Sequence, residues 1–398
     1  MYPTEAIPDA TPEWLLLRAA CSSDSGTETR DRIRELLSES IRWETLFDLA
    51  ERHGTQALLC HSLLGFEEAV PREHMQALKQ HAQINLHKAL FLSRELIRIV
   101  DCLAAIGVEV IPYKGLALAE AIYGDIALRQ SGDIDLLIRS HDLPRIREAV
   151  KDLGYTPHSP LSKAEESSYL KSGYECAFDG AAGRNLLEVQ WAIQPRFYAV
   201  DFDVEGLFQR AVKVSVACHT MKTPCAEDLF LILSLHAAKH VWGRLIWLCD
   251  LDRIIKLPEL HWDRIAVQAT RLGIVRLLRV TMLLANGLLG TAIPVSAESS
   301  LPKDPAAEAL AEEIGNIVAA EQAYDVESVD YFRLMLRLRE RQSDRIRFVS
   351  RLALTPGPNE WVAIHLPRPL FPLYRVVRLF RLAARLVGAG SQPSSSAM

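Results

Sequence analysis

The sequence lacks the cysteine spacing of a zinc site or of a redox pair. Its cysteines are seven, an odd number, and no two of them form a Cys-x-x-Cys motif: Cys21, Cys60, Cys102, Cys176, Cys218, Cys225 and Cys249. Disulfide frameworks are typical of short secreted chains with an even cysteine count. We therefore expect this chain of 398 residues to fold without disulfides and without structural zinc.

The sequence also lacks a long apolar run and an excess of positive charge. The longest apolar stretch, near residues 280–295, is interrupted by Asn286 and is shorter than a membrane span. The N-terminus carries acids and prolines where a secretory signal needs basic and then apolar residues, so we expect a cytoplasmic protein. The formal net charge is -5, and non-specific binding to nucleic acid needs a surplus of Lys and Arg. No stable binding to nucleic acid is expected.

Hydrophobic periodicity and composition predict an α+β fold, in which a small mixed-sheet core is embedded in a mostly α-helical chain. One long helix is expected over 73–105, because this stretch contains no Gly or Pro and Gly107 follows it. Short β-branched strands then alternate with helices. The predicted regions are a loose N-terminal leader (1–30), an N-terminal helical region (31–105), the α/β core (106–200), a C-terminal helical region (201–387) and a disordered tail (388–398).

Two acids stand at alternate positions of a predicted strand, in Gly132-Asp133-Ile134-Asp135-Leu136-Leu137. Side chains at i and i+2 of a strand point to the same face, so the carboxylates of Asp133 and Asp135 are expected to lie close together. Such a pair resists joint ionisation unless a cation neutralises it, and Mg²⁺ accepts oxygen ligands. Asp135→Asn is thus expected to keep or slightly raise the stability of the metal-free protein. The alternative for such a pattern is a solvated strand face.

Phosphate binding is predicted beside these acids. Lys114 and Gly115 end a strand and open a helix, where free backbone N–H groups and the helix dipole favour a phosphate. A third acid is expected for two-metal phosphoryl transfer, and Glu188, among apolar residues of a later strand, fits this role. The alternative for Glu188 is a partly exposed side chain that pairs with an arginine.

The pattern of Lys114-Gly115, then Arg129, then Gly132-Asp133-Ile134-Asp135-Leu136-Leu137, with Glu188-Val189-Gln190-Trp191 later, resembles the uncharacterised nucleotidyltransferase family of the DNA polymerase β superfamily. The resemblance extends from about residue 12 to 385 and includes Arg42–Ala50, His236–His240 and Arg244–Asp250. The block from Tyr113 to Leu137 is its most specific part.

The resemblance implies transfer of a nucleoside monophosphate from an NTP, as co-substrate, to an acceptor, with release of pyrophosphate. It implies Mg²⁺ held by Asp133 and Asp135, with Glu188 as the third metal-binding and catalytic acid. Four residues would bind the nucleotide: Lys114, Gly115, Arg129 and Gly132. The chain departs from the pattern in two ways, because Lys-Gly replaces the Gly-Ser of the broader superfamily and Gln190 stands where the family usually has His. The acceptor is unidentified, and a small molecule, a peptide or a protein is compatible with the resemblance.

Other motifs have weaker implications. His236 and His240 share a helix face and are interpreted as packing residues rather than metal ligands. Asp250 on an apolar helix needs a partner, for which Lys239 and Arg244 are candidates. The tryptophans Trp191, Trp242, Trp247 and Trp262 are interpreted as core residues rather than platforms for nucleobases. A C-terminal basic amphipathic helix is expected either to dock on the core or to contact an anionic membrane or a partner, through Arg375, Arg378, Arg381 and Arg385.

Two alternatives to this enzyme remain from the sequence. One is a non-catalytic helical interaction protein that retains a degenerate nucleotidyltransferase core. The other is a toxin–antitoxin-type nucleotidyltransferase acting on RNA, which the net acidity disfavours.

Overall fold

The computed structural model of the protein describes residues 11–24, 26–158, 169–170, 173–320, 324–325, 328–355, 364, 366 and 368–389. The α-helices with both ends in these ranges are α1 (Pro12–Cys21), α2 (Thr27–Leu37), α3 (Trp43–Arg52), α4 (Gln56–Leu63), α5 (Arg72–Ala105), α6 (Gly115–Tyr123), α7 (Leu143–Asp152), α8 (Val204–Arg210), α9 (Ala226–Lys239), α10 (Leu245–Ile255), α11 (Trp262–Leu272), α12 (Val275–Leu289), α13 (Val295–Ser300), α14 (Pro305–Ala319), α15 (Val329–Arg337), α16 (Gln342–Leu354) and α17 (Tyr374–Ala389). The strands of the same part of the chain are β1 (Ile111–Pro112), β2 (Asp133–Leu137), β3 (Thr156–Pro157), β4 (Glu175–Asp179), β5 (Leu186–Gln190), β6 (Val212–Val216) and β7 (His219–Thr223).

Five strands form one mixed sheet in the order β1-β2-β5-β4-β3. The central pair, β2 and β5, is parallel, and the other neighbours are antiparallel. One face of the sheet packs against α5 and α7 through an apolar cluster that includes Ile134, Leu136, Leu187 and Val189. The opposite face carries the alternate residues of the same strands. The predicted α+β class is confirmed.

The N-terminal and C-terminal helices share a second, larger hydrophobic core. It contains Trp14, Leu16 and Leu17 from α1 together with residues of α9 to α16 such as Phe230 and Phe348. The prediction of a loose leader over residues 1–30 is therefore wrong for α1. Thr11 caps this helix, since its side chain accepts a hydrogen bond from the Trp14 N–H, and burial of three large apolar side chains stabilises it. Residues 1–10 lie outside the described residues.

A β-hairpin interrupts the C-terminal region that the sequence predicts to be helical. Strands β6 and β7 pair antiparallel, and Val214, Val216 and Met221 are buried in the cluster beneath the main sheet. The alternating apolar residues from Val212 to Val216 are the period-2 signal of a half-buried strand. The helical prediction is thus wrong for 212–223, and the α/β part of the fold extends beyond residue 200.

The remaining helix predictions are mostly confirmed. The long helix over 73–105 is α5, and the helical region before it divides into shorter helices. Within the region 201–387, which is predicted to be helical, residues 329–354 form two helices, α15 and α16, separated at 338–341. Of the tail predicted over 388–398, residues 390–398 lie outside the described residues. Among the helices that the structure describes, none has the length and apolarity needed to cross a membrane.

The basic C-terminal helix α17 docks on the rest of the chain. Tyr374 at its start is fully buried, and the Arg378 guanidinium donates to the Leu352 carbonyl at 2.7 Å and lies over the Phe197 ring. On the same helix Phe380 is 72% exposed. Docking on the core is therefore observed for the first half of α17, and contact with a membrane or partner stays a prediction.

Candidate active site

A polar cleft of about 880 Å³ opens over the face of the sheet opposite the apolar cluster. Its walls come from α5, from the start of α6, from strands β2, β4 and β5, and from α9 and α10. All the site residues that the sequence predicts line this cleft: Lys114, Gly115, Arg129, Gly132, Asp133, Asp135 and Glu188. The structure thus brings them together, and their roles stay predictions.

The strand register places the three predicted acids on one face. Asp133 and Asp135 alternate with the buried Ile134, so their side chains project from the same side of β2. Glu188 on β5 pairs in register with Asp135, and paired residues of neighbouring strands lie on the same face, with the strands about 4.8 Å apart. Asp135 is buried, whereas Asp133 and Glu188 are partly exposed to the cleft. The acids therefore form a row across two adjacent strands.

Lys114 neutralises part of this row. Its Nζ lies 3.0 Å from Oδ1 of Asp135, and both side chains are largely buried. Helix α6 begins at the next residue, Gly115, which has φ +54°, a value that favours glycine. A Cβ at Gly115 would meet the Asp133 carbonyl oxygen at 3.4 Å, so the helix start approaches the acidic strand closely. The unsatisfied N–H groups of the first helical turn thus lie beside the acids.

Gln190 links two of the acids to Tyr113 through hydrogen bonds. Its amide Nε2 donates to Oε2 of Glu188 at 3.1 Å and to Oδ1 of Asp135 at 3.4 Å, and its Oε1 accepts a hydrogen bond from the Tyr113 hydroxyl. The resemblance described from the sequence implies a histidine at this position, and a histidine ring can carry a positive charge. The glutamine supplies two neutral N–H donors instead, so it orients both carboxylates without changing the net charge of the site.

Two carboxyl groups of the acidic row, those of Asp133 and Glu188, are held in conditions that disfavour their charged form. Burial, and then repulsion by Asp135, raise the pKa of Asp133. Burial raises the pKa of Glu188 to about 8, and Asp135 and Glu175 add to this effect. Burial by itself would lower the pKa of Lys114, but the charge and hydrogen bond of Asp135, together with Tyr113 and Glu188, outweigh it and hold this pKa above its usual value. A site with these properties attracts additional positive charge.

The donor atoms of the site suit Mg²⁺, because carboxylate oxygens are its preferred protein ligands and one or two carboxylates commonly suffice beside waters and substrate phosphates. Asp133 and Asp135 offer such a pair. Within the described part of the chain, no three His, Cys, Asp or Glu side chains are gathered closely enough to enclose a metal ion by themselves. The residues present therefore fit an ion that shares its ligands with a phosphate, rather than a metal cage made by the protein alone.

Arg129 makes a buried ion pair that the sequence does not predict. Its Nε and Nη2 donate to both oxygens of Asp250 at 2.9–3.1 Å, and the Tyr123 hydroxyl donates to the same carboxylate at 2.8 Å. Asp250 needs a partner, as predicted, but neither Lys239 nor Arg244 makes this pair. Arg129 stands four residues before Asp133, so the pair ties the segment that enters β2 to helix α10. Contact of Arg129 with a triphosphate stays a prediction.

The cleft is also lined by residues that the sequence does not predict as site residues. Glu175 on β4 pairs in register with Gln190 and adds a fourth acid, whose pKa burial raises. Lys239 donates to the hydroxyl of Tyr174, the residue before Glu175, at 3.1 Å. The sequence pattern of β4 places Glu175 in a strand, but only the pairing of β4 with β5 shows that Glu175 lies beside Gln190. Trp191, Trp242 and Trp262 are buried as predicted, whereas Trp247 is partly exposed and lines the cleft.

Among the comparisons with known proteins, the one with family models gives a match. A family model described as uncharacterised nucleotidyltransferase matches residues 39–290, which is more than half of the chain. This range is narrower than the resemblance expected from 12 to 385, but it contains every residue that lines the cleft. Neither the curated proteins nor the solved structures that were compared give a match. The chain belongs to the family of uncharacterised nucleotidyltransferases.

Proposed function

We propose that the protein is a Mg²⁺-dependent nucleotidyltransferase that moves a nucleoside monophosphate from an NTP to an acceptor and releases pyrophosphate. The observation that carries the proposal is the row formed by Asp133, Asp135 and Glu188 on one sheet face, directly beside the start of α6. Carboxylates and helix N-termini in such proximity suit a cation and a phosphate bound together.

In this reaction the acceptor's oxygen or nitrogen forms a bond to the α-phosphorus, and the bond from that phosphorus to the bridging oxygen of the β-phosphate breaks. The electron pair leaves with pyrophosphate. When bound, Mg²⁺ would neutralise charge on the phosphates, held by Asp133 and Asp135. Lys114 and the N–H groups that open α6 would bind the phosphates. Glu188, which pairs in register with Asp135, would be kept ionised by the bound cation and would accept the proton that the acceptor loses.

The proposal has a direct test in labelled transfer. Wild-type protein with Mg²⁺ and a cell extract is supplied with each NTP, labelled either at the α-phosphate or at the γ-phosphate. We expect label in a macromolecular or small-molecule product only from the α-position, since a kinase would transfer the γ-label. Treating the product with protease or nuclease then identifies the class of acceptor, and we expect no loss of label with nuclease.

Two variants control this experiment. Asp133→Asn removes a charge from the acidic row and should abolish transfer. Asp179→Asn is the matched control, because Asp179 is another partly exposed acid on the same face of the sheet but does not line the cleft. If wild-type protein transfers no label and shows no Mg²⁺-dependent nucleotide binding, the enzyme proposal fails. A non-catalytic interaction protein with a retained core would then be the better description.

A further inference from the structure

Three aromatic side chains form a continuous patch in the cleft, here called the aromatic wall: His236 on α9, His240 directly after the end of α9, and Trp247 on α10. The ring centroids of the two histidines are 5.0 Å apart, and the Trp247 ring lies 5.3 Å from His236 and 5.2 Å from His240. All three residues are partly exposed and line the cleft. Partly exposed aromatic rings within a polar cleft offer a surface on which a planar ligand can stack.

The aromatic wall is uncharged near neutral pH. Burial, and then the charges of Arg or Lys neighbours, lower the pKa of His240 to about 4 and hold that of His236 well below its usual value. The histidines therefore act as neutral rings rather than as cations. A neutral aromatic surface favours stacking with another aromatic ring over pairing with an anion.

The aromatic wall lines the same cleft as the proposed phosphate site, because His236, Lys114 and Gly115 are all lining residues. The charges of Lys114 and Arg129 also contribute to the lowered pKa of His236. Lys114 is also the residue that precedes the start of α6. A single molecule that carries phosphates and a planar ring can therefore contact the phosphate site and the aromatic wall together. An NTP has this construction.

Groups able to hydrogen-bond the edge of such a ring lie nearby. Ile246, the neighbour of Trp247, donates its N–H to the His53 carbonyl at 3.2 Å, so the turn that leads to Gln56 packs against the start of α10. The Gln56 side chain accepts a hydrogen bond from the Gln130 amide at 2.8 Å, and both glutamines line the cleft. Amide side chains offer a donor and an acceptor together, as recognition of a nucleobase requires.

We propose that the aromatic wall binds the nucleobase of the NTP, with Trp247 as the principal stacking surface. This inference rests on the proposed function, since it assigns part of the same cleft to the base of the nucleotide. It corrects the interpretation of Trp247 as a core residue. It also divides the cleft into a phosphate end at the sheet and a base end between α9, α10 and the turn before α4.

The test compares ligands with and without a base. Isothermal titration is carried out with the Mg²⁺ complexes of ATP, GTP, CTP, UTP and inorganic tripolyphosphate. Removing the ring in Trp247→Ala should weaken binding of at least one NTP by roughly 5- to 150-fold, the range that loss of one base–aromatic stack produces. Binding of tripolyphosphate should be unchanged. Trp247→Phe, which retains a ring, should recover most of the NTP affinity.

Trp43→Ala is the matched control. Trp43 is also partly buried against the large core and also stacks with a histidine, His74, at 5.1 Å between centroids, but it does not line the cleft. It should leave both affinities unchanged.

Two results would overturn the inference. The first is unchanged NTP affinity in Trp247→Ala, and the second is an equal loss of NTP and tripolyphosphate binding. If unchanged NTP affinity is accompanied by lost transfer, the ring is assigned to the acceptor instead. Wild-type protein that binds neither ligand would instead refute the proposed function itself.

Discussion

Replacing Asp135 with asparagine separates two roles of this carboxylate, its ion pair with Lys114 and its proposed part in metal binding. Asp135 is 3% and Lys114 is 15% exposed, and the charged atoms are 3.0 Å apart. Removing one member of a buried pair commonly costs about 3–5 kcal/mol, because the other charge is left without its partner. The lower end applies here, since the asparagine Oδ1 still accepts a hydrogen bond and Glu188 also attracts Lys114.

A loss of about 3 kcal/mol has a measurable thermal consequence. The entropy of unfolding is about 2.1 cal/mol/K per residue, hence about 0.8 kcal/mol/K for 398 residues, so Tm of the metal-free Asp135→Asn protein should fall by roughly 4 °C. The two aspartates at alternate positions of the sequence predict that Tm stays level or rises slightly, because one of two repelling charges is removed. Lys114 reverses the expectation, since in the folded protein Asp135 has a closer partner of opposite charge.

A double-mutant cycle tests this reasoning. Lys114→Met should also destabilise the protein, and the combination of Lys114→Met with Asp135→Asn should cost about 1–3 kcal/mol less than the sum of the two single changes. Urea unfolding in EDTA measures the stabilities, and α-labelled NTP transfer measures activity. Transfer should fall about 1,000-fold in Asp135→Asn, as expected when about 4 kcal/mol of transition-state stabilisation is lost, and the double variant should not recover it. A rise in Tm of the metal-free single variant, or strict additivity, would refute the ion-pair argument.

Three further changes have defined expectations. Glu188→Gln removes a carboxyl whose pKa is raised to about 8 in the folded protein, from about 4.3 in the unfolded chain. In EDTA, wild-type protein should therefore lose stability relative to the variant as the pH rises from about 4.5 to 8. A stability difference that stays constant across this pH range would contradict the expectation. Asp250→Asn leaves the buried Arg129 with a neutral partner and should cost about 3 kcal/mol in urea unfolding, while a change below about 0.5 kcal/mol would show that the pair is dispensable. Trp14→Ala should cost about 3–5 kcal/mol because Trp14 is buried in the large core, whereas a loose leader would tolerate the change.

Local features of the active site follow from the sequence because they depend on short-range geometry. The alternation of side chains along a strand puts Asp133 and Asp135 on one face whatever lies around them. Similarly, a stretch free of Gly and Pro predicts the 34-residue helix α5, since nothing in it interrupts the hydrogen-bond ladder. The helix over residues 12–21 was not predicted, because ten residues beside a turn-rich segment give only a weak periodic signal. Its structure depends on burial in a core formed by residues distant in the sequence.

Contacts between distant segments were decided by the tertiary structure. The sequence identifies Glu188 as a strand acid, but the parallel pairing of β5 with β2 places it opposite Asp135, and nothing local specifies that register. The partner of Asp250 is Arg129, 121 residues away, because α10 packs against the segment that enters β2. Trp247 resembles a core residue by its apolar neighbours, and only the opening of the cleft beside α9 and α10 exposes its ring. The sequence by itself therefore determined the chemistry of the acidic strand, while chain packing determined which distant side chains share the cleft with it.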